Sequence, residues 1–375
     1  MKGGEKTAPE DRVVKEFLRL VRIPSPPRGE RRMADYVLRR LGRLGVAVEE
    51  DRAGRLIGGT AGNLLARLPG SEGSTPILFV AHLDTRGGGA KASPHLHGDR
   101  IVGDGSRPLG ADDKAGVAIL LETVRLLVER RVPHAPLEIL FTVGEEVGLM
   151  GAKVFDVDRL KAGCGFVFDA PGPVGSAVLR GPAQGVVRGA FLAQVRSRRW
   201  GRRELGSSPA RAAATALAGM GLKRGEPGIE ARILSIGGFA RGEGTMSITA
   251  EVMGYDSQRV WEKMDRIGQS VRQSAESHRL HAEVQTAVLF PAMNVEPADP
   301  VVLRFCRAAR RVGVPIRFAE ADGGSDAHVL NARGLPTIAL GVGYEDAHSL
   351  RESVEVRALA DGVRLALALA GSEEE

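Results

Sequence analysis

The segment Ile77-Leu-Phe-Val-Ala-His82-Leu-Asp84-Thr85 decides the fold predicted for this chain. Its first five residues are apolar, which is typical of a short strand that is covered on both faces of a sheet. An amphipathic helix is predicted next, over Lys114–Arg131, and a second apolar strand over Leu137–Val143. Strands that alternate with helices indicate an α/β core with a largely parallel sheet flanked by helices.

The composition of the chain changes near residues 171–175, where a second region begins. This region contains two apparent strand–helix units and ends near residue 290, after which the core pattern resumes. We therefore predict a core domain formed by residues 1–176 and 291–375, with an α+β domain of residues 177–290 inserted into it.

The overall composition excludes several classes of protein. The chain has 375 residues, of which 43% are hydrophobic and 26% charged, as in folded proteins rather than disordered ones. It has no apolar run long enough for a membrane-spanning helix, and residues 1–10 lack the apolar stretch of a secretory signal. The two cysteines, Cys164 and Cys306, cannot form a disulfide framework, so we expect a cytoplasmic location without a membrane partner.

The net charge of +6 raises the question of a nucleic-acid partner. Basic residues are spread over the whole chain, and only Arg196–Arg203 is densely basic. A solvated basic hairpin, or a surface that attracts acidic peptides, explains this stretch more simply than nucleic-acid binding does. We therefore expect no nucleic-acid partner.

Acidic residues and histidines follow several predicted strands, at the edge where open α/β sheets bind their ligands. His82 and Asp84 project to the same side of an extended segment, so Asp84 can hold one imidazole nitrogen while the other binds a metal. A hydrogen-bonded loop pair without a metal is the alternative. Asp112 and Asp113 open the predicted helix, and one of them can cap it while the other faces a cation.

Glu145 and Glu146 lie between glycines at the end of a predicted strand. Adjacent carboxylates repel each other when they are poorly solvated, so this pair predicts a nearby cation, with one glutamate as ligand and the other as base. Two solvated surface glutamates are the alternative. The candidate ligands are His82, Asp112, Glu146, Asp169 and His348. Two imidazoles and three carboxylates can hold two divalent ions about 3.5–4 Å apart, with one carboxylate bridging.

Four sequence motifs resemble those of the dinuclear zinc exopeptidases of the M20 family, with the tripeptide aminopeptidase (peptidase T)-like branch nearest. The motifs are Ala81-His-Leu-Asp-Thr85, Leu109-Gly-Ala-Asp-Asp-Lys-Ala-Gly116, Gly144-Glu-Glu-Val-Gly148 and Gly323-Gly-Ser-Asp-Ala327. Their shared order makes the resemblance far more specific than any single motif. It covers most of residues 11–170 and 290–370.

This resemblance implies a zinc-exopeptidase-like core with an inserted lid or dimerisation domain. It also implies a cis peptide bond between Asp112 and Asp113. The implied roles are one zinc on His82 and Asp169, a second zinc on Glu146 and His348, Asp112 as the bridge, Asp84 orienting His82, and Glu145 as the general base.

The inserted region departs from the family pattern at two places. Arg198-Arg-Trp-Gly-Arg-Arg203 stands where family members commonly carry a lid histidine. Gly237-Gly-Phe-Ala-Arg-Gly242 lacks the asparagine that holds the substrate carboxylate. Arg199 and Arg241 are the candidates to replace these groups.

The expected function is metal-assisted hydrolysis by an aminopeptidase that acts on short peptides, with two divalent ions as cofactors. Zinc is the expected metal, and cobalt or manganese suits the same ligands. The alternatives are an N-acyl amino acid deacylase of the same family, or a catalytically impaired member that binds an acidic partner through its basic lid. A homodimer formed through the lid domain is a further expectation of the resemblance.

Overall fold

The computed structural model describes residues 9–87, 93–192, 195–199, 202–205, 208–222, 228–238 and 245–371. Within these ranges the helices are α1 (Pro9–Leu20), α2 (Arg31–Gly42), α3 (Ala53–Ile57), α4 (Ala111–Arg130), α5 (Met150–Val154), α6 (Pro209–Gly219), α7 (Ser257–Ser277), α8 (Pro300–Val312), α9 (Asp326–Ala332) and α10 (Val356–Ala370). No helix within the described ranges is both long and apolar enough to cross a membrane.

The strands of the described residues, in chain order, are β1 (Ala47–Glu50), β2 (Leu64–Leu68), β3 (Ile77–His82), β4 (His95–His97), β5 (Arg100–Val102), β6 (Leu137–Thr142), β7 (Cys164–Ala170), β8 (Ser176–Gly181), β9 (Ala183–Leu192), β10 (Val195–Arg199), β11 (Arg202–Leu205), β12 (Ile229–Gly238), β13 (Thr245–Gly254), β14 (His281–Phe290), β15 (Met293–Asn294), β16 (Arg317–Glu320), β17 (Thr337–Gly341), β18 (Tyr344–Glu345) and β19 (Ser353–Glu355).

The chain divides into two compact units. The large unit contains the residues up to Arg180, together with Asn294–Ala321 and the residues from Ser325 onward. The inserted unit contains Gly181–Met293 and Asp322–Gly324. The roles predicted for these regions, a catalytic domain and a lid or dimerisation domain, remain proposals.

The large unit is built on a nine-stranded sheet with the order β1-β2-β6-β3-β7-β17-β8-β15, and β16 pairs with β8. Its centre is parallel, because β3 runs parallel to both β6 and β7, and β17 runs parallel to β7. The pairs β1–β2, β2–β6 and β17–β8 are antiparallel. The sheet is therefore mixed, with a parallel centre, and the predicted α/β core is confirmed.

The strand register aligns the carboxyl ends of the central strands. His82 of β3 pairs with Thr142 of β6, and Val80 of β3 pairs with Val167 of β7. Every residue of β3 is buried, as its continuous apolar sequence predicts. Side chains at the ends of β3, β6 and β7 therefore meet at one edge of the sheet.

Helix α4 fixes this edge from one side. Nearly all of its residues are buried, and it packs against α1, α10, β3 and β7. It begins at Ala111, three residues before the predicted Lys114, so that Asp112 and Asp113 lie within it. Both aspartates have non-helical dihedral angles, which makes the start of α4 irregular at the position where it reaches the sheet edge.

The inserted unit contains an antiparallel sheet with the strand order β12-β13-β9-β14, and α6 and α7 pack together against it. Two glycines of β9 allow α7 to approach closely. A Cβ atom at Gly185 would lie 2.1 Å from Met264 Sδ, and one at Gly189 would lie 2.8 Å from Val271 Cγ2. Strands β10 and β11 form a separate two-stranded hairpin.

Candidate metal centre

Five separate elements of the large unit bring polar side chains to the carboxyl edge of the sheet. His82 ends β3, Asp169 lies near the end of β7, and Asp112 lies at the start of α4. Glu145 and Glu146 lie in a 3₁₀ turn, Glu145–Val147, which follows β6. His348 lies between β18 and β19, with a left-handed φ of 63° that is uncommon for a non-glycine residue.

Each of the five candidate ligands lies within 3.6 Å of at least one other. His82 Nε2 is 2.9 Å from Asp112 Oδ1 and 3.6 Å from Asp169 Oδ1. His348 Nε2 is 3.1 Å from Asp112 Oδ2 and 2.8 Å from Glu146 Oε1. Asp112 therefore lies between the two imidazoles, with one carboxylate oxygen facing each ring. This is the arrangement that a bridging ligand needs.

Asp84 and Glu145 also lie at this edge. Glu145 Oε2 is 4.0 Å from His82 Nε2. The two oxygens of Asp84 accept hydrogen bonds from the backbone N–H groups of Glu145 (3.0 Å) and Glu146 (3.1 Å). The distance from Asp84 Oδ1 to His82 Nδ1 is 3.6 Å, longer than a hydrogen bond. Asp84 therefore holds the turn that carries both glutamates, while its predicted effect on His82 remains a prediction.

The structure distinguishes the two adjacent aspartates. Asp113 is fully buried and accepts hydrogen bonds from the backbone N–H groups of His82 (3.0 Å) and Gly116 (3.1 Å). It therefore satisfies one backbone donor at the start of α4, as a capping residue does, and one at the end of β3. Asp112 is left to face the imidazoles. The peptide bond between Asp112 and Asp113 is cis, which confirms that expectation.

Three contacts of this site were not predicted from the sequence. Tyr344 donates a hydrogen bond to Asp169 Oδ1 at 3.2 Å. Glu352 accepts hydrogen bonds from the backbone N–H groups of Gly110 (2.7 Å) and Asp112 (3.0 Å). Tyr344 and Glu352 lie within a few residues of His348 in the sequence, and this proximity was the only available signal. The third contact, of Arg86 with Glu146, is described below.

The two arginines proposed to replace missing lid groups cannot be placed at the site. Arg241 lies outside the described residues, and at Arg199 the structure describes only the main chain. Within the basic stretch Arg196–Arg203, the structure describes only the main chain of residues 196–199 and 202–203, and residues 200–201 lie outside the described ranges.

Burial and mutual repulsion shift the pKa values of the carboxylates in the centre. Burial raises the pKa of Glu145 well above its usual value, and it raises the pKa of Asp169 to about 7. Asp112 is also buried, but its hydrogen bonds with His348 and His82 hold its pKa well below the usual value.

The pKa values of both histidines are raised, although burial alone lowers the pKa of a base. Burial lowers the pKa of His82, but the charge of Asp169 and the hydrogen bond with Asp112 outweigh it and raise the pKa well above its usual value. Hydrogen bonds with Asp112 and Glu146 raise the pKa of His348 to about 10. The site therefore stabilises positive charge.

These residues fit divalent cations. Ligand atoms lie within 4.8 Å of one another in two groups, His82–Asp112–Glu146 and His82–Asp113–Asp169. In the second group, Asp113 already accepts the backbone N–H groups of His82 and Gly116, so its carboxylate is not among the proposed ligands. The nitrogen of His82 that faces Asp112 and Asp169 is Nε2. Imidazole nitrogens and carboxylate oxygens are ordinary ligands of zinc and similar ions. The cluster is a candidate metal-binding site.

Comparisons with known proteins give one consistent family. A model of peptidase family M20/M25/M40 matches residues 78–372. A protein of Bacillus subtilis (strain 168), YqjE, is 32% identical over 366 residues, which cover 96% of this chain and 98% of that protein.

Two solved structures match nearly the whole chain. The aminopeptidase PepT from Bacillus cereus ATCC 10987 has 33% identity and a TM-score of 0.85, with 96% of this chain and 98% of that chain covered. A tripeptidase from Staphylococcus aureus subsp. aureus Mu50 has 28% identity and a TM-score of 0.87, with 96% and 97% covered.

Proposed function

The chain belongs to peptidase family M20/M25/M40, and from this premise we propose that it is an aminopeptidase that acts on short peptides. One observation carries the proposal: imidazoles and carboxylates from five elements meet at one site, with Asp112 between the two imidazoles and Glu145 beside them. The full-length matches to an aminopeptidase and a tripeptidase support the substrate class.

The proposed cofactors are two divalent cations, with zinc expected and cobalt or manganese compatible with the same ligands. His82 and Asp169 would hold one cation, Glu146 and His348 the other, and Asp112 both. Cations bound there would lower the pKa of water toward neutrality and polarise the carbonyl group of the scissile bond.

Glu145 is the proposed general base. Its carboxylate lies 4.0 Å from His82 Nε2, and its backbone N–H is fixed by Asp84. Burial raises the pKa of its carboxyl group. Glu145 takes the proton of the attacking water and returns it to the amine that leaves when the peptide bond breaks.

A peptide-length series assayed on metal-analysed protein tests this function. Free peptides of two to five residues are compared with the same peptides blocked at the N-terminus, and with N-acetyl amino acids. The aminopeptidase proposal expects cleavage of free short peptides and loss of cleavage on blocking. Cleavage of N-acetyl amino acids instead supports the deacylase, and absence of all turnover with two metals bound supports the impaired member.

We also propose that two copies of the chain associate with each other through the inserted unit. A second proposal is that the chain is located in the cytoplasm. Leu234 and Ile236 of β12 support the first proposal, since their side chains are 49% and 51% exposed. Light scattering on the purified protein and on a Leu234→Glu, Ile236→Glu variant tests it. A monomeric mass for the unmodified protein at assay concentration would exclude this dimer. Fractionation of cells that express the tagged chain tests the compartment.

A further inference from the structure

Arg86 occupies a defined position at the rim of the candidate metal centre. It follows the Asp84-Thr85 end of the β3 motif, and its backbone N–H donates to Glu146 Oε1 at 3.3 Å. Its Nε lies 2.8 Å from Glu146 Oε2, and its Nη2 donates to the Glu146 carbonyl oxygen at 3.4 Å. The two contacts made by Nε and Nη2 fix the orientation of the guanidinium.

The other side of this guanidinium faces outward. A guanidinium carries five N–H donors, and the contacts with Glu146 use one on Nε and one on Nη2. Among the residues that the structure describes, Nη1 has no recorded partner, and 57% of the side chain is exposed. The remaining donors form a planar fork, which matches a carboxylate bidentately.

The charge distribution gives this fork a role. Lys114, the lysine of the same region, is buried and donates to the Ile23 carbonyl oxygen at 2.9 Å. Among the arginines and lysines of the described ranges, Arg86 alone forms an ion pair with a proposed ligand residue, Glu146.

We infer that Arg86 is a specificity-determining residue that binds a carboxylate of the substrate through its outer N–H groups while Nε remains on Glu146. The inference rests on the proposed peptidase function. The carboxylate can be the C-terminus of a short peptide or an acidic side chain, since both present the same two oxygens to the guanidinium.

Paired peptides test this inference in two arms. The first arm compares kcat/KM for a tripeptide with that for its C-terminal amide, and the second compares an aspartate-containing peptide with its asparagine counterpart. The unmodified protein is expected to prefer the carboxylate by about tenfold or more in one arm, as charge-assisted pairs do. The Arg86→Met variant is expected to lose that preference through a higher KM, and Arg86→Lys to retain part of it.

A matched control is Arg364→Met, which removes an arginine that is 50% exposed and paired with Asp361 on α10. It should keep the preference of the unmodified protein. Binding without turnover gives a second readout: calorimetry on the Glu145→Gln protein measures the affinities of an uncleavable D-amino-acid tripeptide and its amide, with and without Arg86→Met. The metal content of every variant is measured.

The outcomes separate this inference from the proposed function. Equal preferences in the unmodified and Arg86→Met proteins, or no preference in either arm, overturn the role of Arg86 while the peptidase stands. A preference that disappears only together with bound metal also overturns it, because Arg86 then acts through Glu146. If no peptide is cleaved, the peptidase proposal fails and the calorimetric comparison still decides whether Arg86 binds a carboxylate.

Discussion

Single residues of the centre were predictable from the sequence to the extent that they follow apolar strands. His82, Glu146 and Asp169 each follow such a run, and the edge of a parallel sheet brings strand ends together. The partners of these residues were less predictable. Asp84 bonds to the glutamate turn at 3.0 and 3.1 Å, and Arg86 contacts Glu146 across 60 residues of sequence, so only the folded chain reveals these contacts.

Replacing Glu145 tests the general base. The Glu145→Gln variant is expected to lower kcat by about 10²–10⁴. Its metal content should not change, because the amide has nearly the same shape but cannot accept the proton. Turnover assays with metal analysis measure both quantities, and a near-normal rate would remove Glu145 from the mechanism.

Glu30 predicts a pH dependence of stability. It is fully buried, and its Oε1 accepts hydrogen bonds from the backbone N–H groups of Arg28 (2.6 Å) and Gly144 (3.1 Å). Burial raises its pKa from 4.5 to about 6. The folded chain therefore binds this proton more tightly than the unfolded chain. Its stabilising contribution is complete below pH 4.5 and is lost as the pH rises through 6.

The Glu30→Gln variant should lose this part of the pH dependence, which amounts to roughly 1–2 kcal/mol of unfolding free energy. Urea unfolding of chelator-treated protein at several pH values measures it, with the exposed Glu72→Gln as control. An unchanged slope between pH 4.5 and 6 in Glu30→Gln would contradict the assignment.

Among the elements, helix α4 and the central strands β3 and β6 were predicted, because apolar residues recur with a helical period in α4 and form continuous runs in the two strands. The strand β14 was not predicted, although residues 281–290 partly alternate between polar and apolar side chains. Most of its residues are exposed or half-buried, and its place in the sheet depends on pairing with β9, about 100 residues earlier in the sequence. Such pairing is set by tertiary contacts rather than by local sequence.

Glu352 connects two elements of the centre. It lies in the segment after His348 and accepts from the backbone N–H groups of Gly110 and Asp112, at the start of α4. The Glu352→Ala variant leaves two buried donors without this acceptor, so we expect a loss of about 2–4 kcal/mol in unfolding free energy. Metal affinity should fall by roughly 10–100-fold, as when other supporting groups of metal ligands are removed.

Thermal unfolding and competition with a chromophoric chelator measure the two effects of Glu352→Ala. Glu352→Gln retains one acceptor oxygen and should give intermediate values for both. If Glu352→Ala binds metal as tightly as the unmodified protein, Glu352 does not position the ligands.

At the scale of the whole molecule, bound metal should stabilise the fold. Cations that bind only the folded state raise its stability by about 2.7 kcal/mol when their free concentration is 100 times the Kd. Treatment with a chelator should therefore lower the melting temperature of the metal-loaded protein. Asp112→Asn, which weakens the shared ligand, should show a much smaller chelator effect. Identical shifts in both proteins would indicate that the cations bind elsewhere.

The central claim is that His82, Asp112, Glu146, Asp169 and His348 together hold two cations. Crystals of the zinc-loaded protein, measured on both sides of the zinc absorption edge, test this most directly. The account predicts two anomalous peaks about 3.5–4 Å apart on either side of the Asp112 carboxylate. A map with no peak beside Asp112, or with zinc only at other positions, would contradict it.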